Sequence, residues 1–138
     1  MIALKNIMVA TDFSEAADMA LSYGRELARA FGARLHVLHA VQDLSLHLGA
    51  PEYTATLTQL QMELQESERA QAESLITDDD RRTLGATVAL PMHTSAAHAI
   101  VAYAREANVD LIVLGTHGRT GMERLFMGSV AEHVTRSA

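Results

Sequence analysis

Glycines at positions 115, 118 and 128, spaced Gly-x2-Gly-x9-Gly and followed at once by Ser129, are the residues of this chain best suited to hold an anion. They come after an apolar run ending at Leu114, and Ser129 with Glu132 has the Ser-x-x-Glu spacing of a helix-start capping box. Glycines after a strand let backbone N–H groups turn toward a ligand. A helix start adds unpaired donors and the positive end of a dipole. A phosphate is the natural ligand, and Ser129 can accept from the Glu132 N–H while offering its own hydrogen to a phosphate oxygen. Asp12 ends the first apolar run of the chain. Ionised, it accepts only, so it suits hydroxyls or an amino group better than phosphate.

Several other chemistries are excluded or disfavoured. There is no Gly-x4-Gly-Lys-Ser/Thr motif, the lone lysine is Lys5 before the first strand, and the Gly-x-Gly-x2-Gly dinucleotide fingerprint is missing. No base stands next to a nucleophile in the sequence pattern, so the site reads as a holder of phosphate whose hydrolysis, if any, is slow and incidental. Arg119 and Arg124 are flexible cations that could reach a phosphate or simply be solvated, and His117 lies in the same glycine loop. The other histidines show no metal-ligand spacing, and His36 and His39, three apart on a strand, face opposite sides. Cysteine is absent, which removes disulfides and thiolate chemistry together. The acidic run Asp78, Asp79, Asp80 reads as a solvated helix end, since consecutive helical residues point in different directions.

These residues must be carried by alternating elements. Asn6 to Thr11 is apolar on both faces, as a central parallel strand requires. Ser14 caps a helix with Glu15 and Asp18 in its first turn and a stop at Gly32. Arg34 to Val41 is a second strand, Glu52 to about Arg82 one long polar helix with a thin stripe at Leu57, Leu60, Leu64, Leu75 and Ile76, and Ala86 to Leu90 a weak third strand. A helix follows over Ser95 to Ala107, with Asn108 as a left-handed stop, then a fourth strand from Asp110 to Leu114 and a last helix from Ser129. The pattern predicts an α/β fold: an open parallel sheet with helices on both faces. Such sheets bind ligands beyond the carboxyl ends of the strands where the strand order reverses. If strands one and four are neighbours there, Asp12 and Gly115 share one crevice.

The chain has 138 residues with 49% hydrophobic side chains, the size of one domain with one core. Its net charge of −6 and lack of a basic stripe argue against nucleic acid as a partner. No apolar run is long enough for a membrane span and no signal peptide is evident, so a soluble cytoplasmic protein is expected.

The segments Ala10-Thr11-Asp12-Phe13-Ser14 and DLIVLGTHGRTG, with Gly128-Ser129-Val130 in the run GSVAEHV, resemble the ATP-binding class of universal stress proteins, and the likeness runs from Asn6 to Ser137. The resemblance implies a flavodoxin-like sheet of order 3-2-1-4-5 with an adenine nucleotide, ATP first among them, across strands one and four. It puts Asp12 near the adenine and ribose, and Ala40 where strand two lines the adenine by its backbone. Gly115 and Gly118 then lie under the ribose and phosphates, with Gly128, Ser129 and Val130 at the phosphate-binding helix start. With the flanking Ala10, Thr11, Leu114, His117 and Arg119, these make up the candidate nucleotide site. Any Mg2+ would be held through the phosphates and not by protein side chains. The family's fifth strand, which commonly pairs two subunits, would lie beyond Ala138. The expected homodimer thus lacks its usual strand, and strand four is expected as an exposed apolar edge. The function implied is an ATP-binding stress-response regulator acting on an unknown protein target. Two alternatives are a nucleotide-independent interaction module of the same fold, and a phosphoryl-accepting enzyme using Asp12, whose neighbours Thr11, Phe13 and Ser14 supply no further carboxylate for magnesium.

Overall fold

The structure, a computed structural model, describes residues 3–44, 51–117 and 123–127. At its centre is β1 (Asn6–Ala10), whose Ile7, Met8 and Val9 are all fully buried. A strand buried on both faces needs a partner on each side and a helical layer above and below. Its partners are β2 (Arg34–Leu38) and β6 (Leu111–His117), both parallel to it, with Val9 in register with Val37 and Val113. Beyond β2 lies β4 (Thr87–Ala89), and beyond β6 lies β7 (Glu123–Met127), so the sheet order is β4-β2-β1-β6-β7. The four parallel strands thus stand in the order anticipated from the sequence.

The layers follow from strand alternation. Ile7, Val9, Leu35, Val37 and Val113 point to one face and pack on Ala20, Leu21 and Ala28 of α1 (Glu15–Phe31), with Ile76 and Leu84. Met8, Leu38 and Ile112 point to the other, against Ala104, Ile100 and Tyr103 of α4 (Ala96–Glu106). The buried stripe of α1 is made of small residues, which brings its axis close to the sheet: a Cβ on Gly24 would run into Val9 Cγ2. Its ends are set as the sequence indicates. Ser14 Oγ accepts from the Ala17 N–H at 3.2 Å, and Gly32 is left-handed at φ 64°. Asn108, after α4, is likewise left-handed at φ 54°.

Four expectations are corrected. The single helix over 52–82 is two helices, α2 (Thr54–Glu73) and α3 (Asp78–Leu84), separated where Thr77 starts a new capping box with Asp80. Thr77 Oγ1 accepts from the Asp80 N–H at 3.0 Å and an Asp80 oxygen accepts from the Thr77 N–H at 3.0 Å, which fixes a fresh helix start. Of the expected stripe, Ile76 is buried and Leu75 packs on the same core, but both lie beyond α2, in which only Ala72 is buried and Leu60 is 47% exposed. Asp80 is not a solvated helix end. It is fully buried and paired with Arg25 of α1, whose Nε lies 2.9 Å and 3.1 Å from its two oxygens. Burial by itself would raise the Asp80 pKa, but the hydrogen bonds from Arg25 and Thr77 and the Arg25 charge outweigh it and hold the carboxyl below its usual range.

The remaining corrections concern strand ends. The second strand stops at Leu38, and Val41–Gln42 instead forms β3, paired in parallel with β5 (Met92–His93) in a small second sheet. Gln61 of α2 clips that sheet in place, donating to the Gln42 carbonyl at 3.0 Å and accepting from the Leu44 N–H at 2.7 Å. The fourth strand runs on to His117, so Gly115 is a strand residue, and part of the expected glycine loop is β7, antiparallel to β6 with Leu114 opposite Phe126. Strand four is therefore not an exposed edge. β7 pairs along it, with Val113 opposite Met127 and His117 opposite Glu123.

Candidate functional site

The chain leaves β1 toward β2 on one side of the sheet, and returns through β4 and α4 to β6 on the other. The strand order reverses between β1 and β6, and their carboxyl ends part there to leave a cleft. The cleft has a volume of about 200 Å³ and is lined by Ala10, Thr11 and Asp12 after β1, Leu38, His39 and Ala40 after β2, Ala96 and Ile100 of α4, and Leu114 and Gly115 of β6. Six anticipated residues, Ala10, Thr11, Asp12, Ala40, Leu114 and Gly115, meet in it. His117 lies further along β6, its backbone paired with Glu123. Gly118, Arg119, Gly128, Ser129 and Val130, with the helix start expected at Ser129, lie outside the described residues.

The β1–α1 turn that forms one lip is held by its own side chains. The Thr11 N–H donates to the Leu38 carbonyl at 2.9 Å, tying the turn to β2. Thr11 Oγ1 accepts from the Phe13 N–H at 3.0 Å, and Asp12 Oδ1 accepts from the Ser14 N–H at 2.9 Å. These two local bonds force a tight reversal, and Phe13 takes the left-handed conformation at φ 66°, a strained one for a bulky residue. Asp12 is exposed at the mouth. It serves as a turn acceptor, while Ser14 caps α1, so the two roles are divided between neighbouring residues.

Gly115 has a different reason to be glycine from the one its sequence position gives. A Cβ there would run into the Ala16 carbonyl and lie 2.9 Å from the Ala17 nitrogen. The missing side chain lets the first turn of α1 sit directly on β6, closing the floor of the cleft from the α1 side.

Sequence reasoning, which weighed His39 only as a metal ligand, missed it as a cleft residue. Its Nδ1 is 2.7 Å from the Thr11 carbonyl, its Nε2 is 2.9 Å from Glu68 Oε2 on α2, and its ring stacks on Phe13 with centroids 4.2 Å apart. Glu68 is 29 residues away in sequence, and no local spacing marks the pair. His36, by contrast, is a core residue: Nε2 meets Asn6 Oδ1 at 3.0 Å and Nδ1 meets the Tyr103 hydroxyl at 2.7 Å. Burial and then the nearby Arg34 charge lower its pKa, so the neutral ring bridges β1, β2 and α4. Among the described residues no group of three or more histidine and carboxylate side chains is placed to hold a metal, and no helix is long and apolar enough to cross a membrane.

An open, mostly parallel sheet with helices on both faces and a cleft at its switch point defines a doubly wound α/β protein, a class in which ligands bind at the carboxyl ends of the strands. The universal stress protein family model matches residues 3–138, and the chain belongs to that family. A universal stress protein of Thermus aquaticus is 33% identical over 135 residues, covering 97% of this chain and 93% of the relative. A crystal structure of a family member from Burkholderia pseudomallei is 28% identical, with a TM-score of 0.70 over 97% of this chain and 89% of that one. The universal stress protein from Archaeoglobus fulgidus in complex with dAMP shares the fold at 22% identity and a TM-score of 0.55, covering 100% of this chain and 94% of that one.

Proposed function

We propose that the cleft between β1 and β6 holds an adenine nucleotide, ATP first among them, and that the protein is a cytoplasmic stress-response regulator whose contacts with a protein target depend on occupancy. The observation that carries this reading is the convergence of Ala10, Thr11, Asp12, Ala40, Leu114 and Gly115 on one cleft at the strand-order reversal. An apolar slot between Leu38, Ile100 and Leu114 suits a purine ring, and the Asp12 carboxylate at its mouth suits ribose hydroxyls or an exocyclic amine. The dAMP complex of a fold relative is consistent with that ligand class. The phosphates would run toward the Gly118, Arg119 and Gly128-Ser129-Val130 segment, where backbone N–H groups are the donors and any Mg2+ is carried by the phosphates. His117 would stand beside the ribose or phosphates. No base is paired with a nucleophile in the described part of the cleft, so retention of nucleotide is favoured over turnover.

The test is calorimetric titration of the full chain with ATP, ADP and AMP. Asp12→Asn keeps the Oδ1 acceptor for Ser14 while removing the charge and turning the second oxygen into an N–H donor, and Gly128→Val places a side chain at the expected phosphate contact. Binding by the wild type, weakened about tenfold or more by either change, supports the reading. No heat and no thermal shift with any adenine nucleotide at millimolar concentration refutes it and leaves the interaction module of the same fold.

A further inference from the structure

His39 lies where the cleft, the strained β1–α1 turn and α2 meet, and both of its ring nitrogens face acceptors. Nδ1 points at the Thr11 carbonyl at 2.7 Å, and Nε2 at the Glu68 carboxylate at 2.9 Å. A neutral imidazole carries one N–H and one lone pair, so it can donate to only one of them. The other contact then sets a lone pair against an oxygen at hydrogen-bond distance. Only the doubly protonated ring donates both ways, and the Glu68 carboxylate supplies its counter-charge. Among the described residues, Asp12 of the β1–α1 turn and the uncharged Ala96 and Ile100 of α4 line the same cleft, and the Ala89 carbonyl accepts from the His39 N–H at 3.0 Å on the β4 side.

We infer that His39 is a positioning residue of the cleft: protonated and bridged to Glu68, it holds the β1–α1 turn in its ligand-binding shape, so nucleotide affinity falls when the ring gives up a proton to solvent. The inference rests on the nucleotide reading above. The turn needs such a hold, because Phe13 at φ 66° persists only where its surroundings over-determine it. Its ring is stacked on His39, and the residue donated to, Thr11, is the same one whose hydroxyl accepts from the Phe13 N–H. When one His39 bond fails, the ring swings, the stack on Phe13 opens and the turn carrying Asp12 loses its link to α2, leaving only the Thr11–Leu38 bond to hold it to β2. The arrangement also ties α2 to the state of the cleft, since Glu68 is its contact with the ring.

The experiment is ATP titration of the full chain between about pH 5.5 and about pH 8.5, the range in which imidazoles titrate, for wild type, His39→Gln and Glu68→Gln. The terminal phosphate of ATP ionises in the same range, but equally for all three proteins, so the ratio of variant to wild-type affinity isolates the protein's contribution. Wild-type affinity is expected to fall about fivefold or more relative to His39→Gln as pH rises, with His39→Gln weak throughout. Glu68→Gln keeps an acceptor for Nε2 but removes the counter-charge, so its fall is expected at lower pH, a displacement that a merely structural contact would not produce. The Phe13 amide resonance should move with the same pH step in the ligand-free protein. A His39→Gln profile parallel to wild type overturns the inference alone, as does an unshifted Glu68→Gln profile if His39→Gln does not fold. Absence of ATP binding by the wild type overturns both this inference and the nucleotide reading.

Discussion

The Ala16 carbonyl occupies the position that a side chain on Gly115 would need, so the first turn of α1 rests directly on the backbone of β6. The contact joins the two elements that flank the cleft. It also gives a glycine in a ligand motif a purely steric duty.

Gly115→Ala is therefore expected to destabilise the ligand-free protein by about 3 kcal/mol, since the clash is with backbone and can be relieved only by moving α1 or β6. Urea denaturation without nucleotide checks it. An unchanged midpoint would show that α1 does not approach β6 this closely. Because stability and binding would be lost together, this glycine cannot serve as a clean probe of the ligand.

The Arg25–Asp80 pair clamps α3 against α1, and Arg25 also donates to the Leu75 carbonyl at 3.2 Å. Arg25→Ala would leave the buried Asp80 carboxylate with only the cation of Arg29, whose Nη2 lies 3.7 Å away, at a cost of about 3 kcal/mol. The urea midpoint should fall with little change in the slope. Replacing both residues with apolar side chains should recover much of the loss, and a double variant as poor as the single one would contradict the account.

His36 gives a pH dependence of defined sign. Its pKa in the folded protein lies below the ordinary imidazole value of 6.5, so near and below about pH 6.5 the unfolded chain binds more protons than the folded one. The stability that the neutral ring contributes is present above that pH and is lost as pH falls toward the lowered folded value. Asp80, also depressed, acts in the same direction but only below the ordinary aspartate value of 3.8. Equilibrium unfolding measured down from neutral pH should show a decline that His36→Gln removes in the upper window and leaves intact in the lower one. A wild-type stability that is flat below pH 6.5 would count against the buried neutral ring.

Ser14→Ala removes the acceptor for the Ala17 N–H and should cost about 1 kcal/mol. Since Asp12 holds the turn separately, ATP affinity should change little once folding is corrected for. At about 100 times its Kd, ATP should raise the unfolding free energy of wild type and Ser14→Ala alike by about 2.7 kcal/mol. A loss of the ATP effect in Ser14→Ala alone would place the cap in the ligand site.

The sequence by itself determined what depends on near neighbours. β1 is legible because Ile7, Met8 and Val9 are apolar on successive positions, and α1 because Ser14, the small-residue stripe and Gly32 mark its two ends and its buried face. Alternating elements mark the open parallel α/β class, while the order of β1, β2, β4 and β6, and with it the cleft shared by Asp12 and Gly115, is what the family resemblance implies. Tertiary structure decided what depends on partners distant in sequence. Asp80 looks solvated until Arg25, 55 residues away, supplies the charge that lets it be buried. His39 is one polar residue at a strand end until Glu68 and Phe13 close on it. Residues 123–127 read as loop because strand character comes from a neighbouring ladder as much as from their own side chains, and that ladder is the edge of β6. The glycine of the motif shows both sources at once: local pattern marks position 115 as special, and only the packing of α1 shows that its missing side chain first serves the fold.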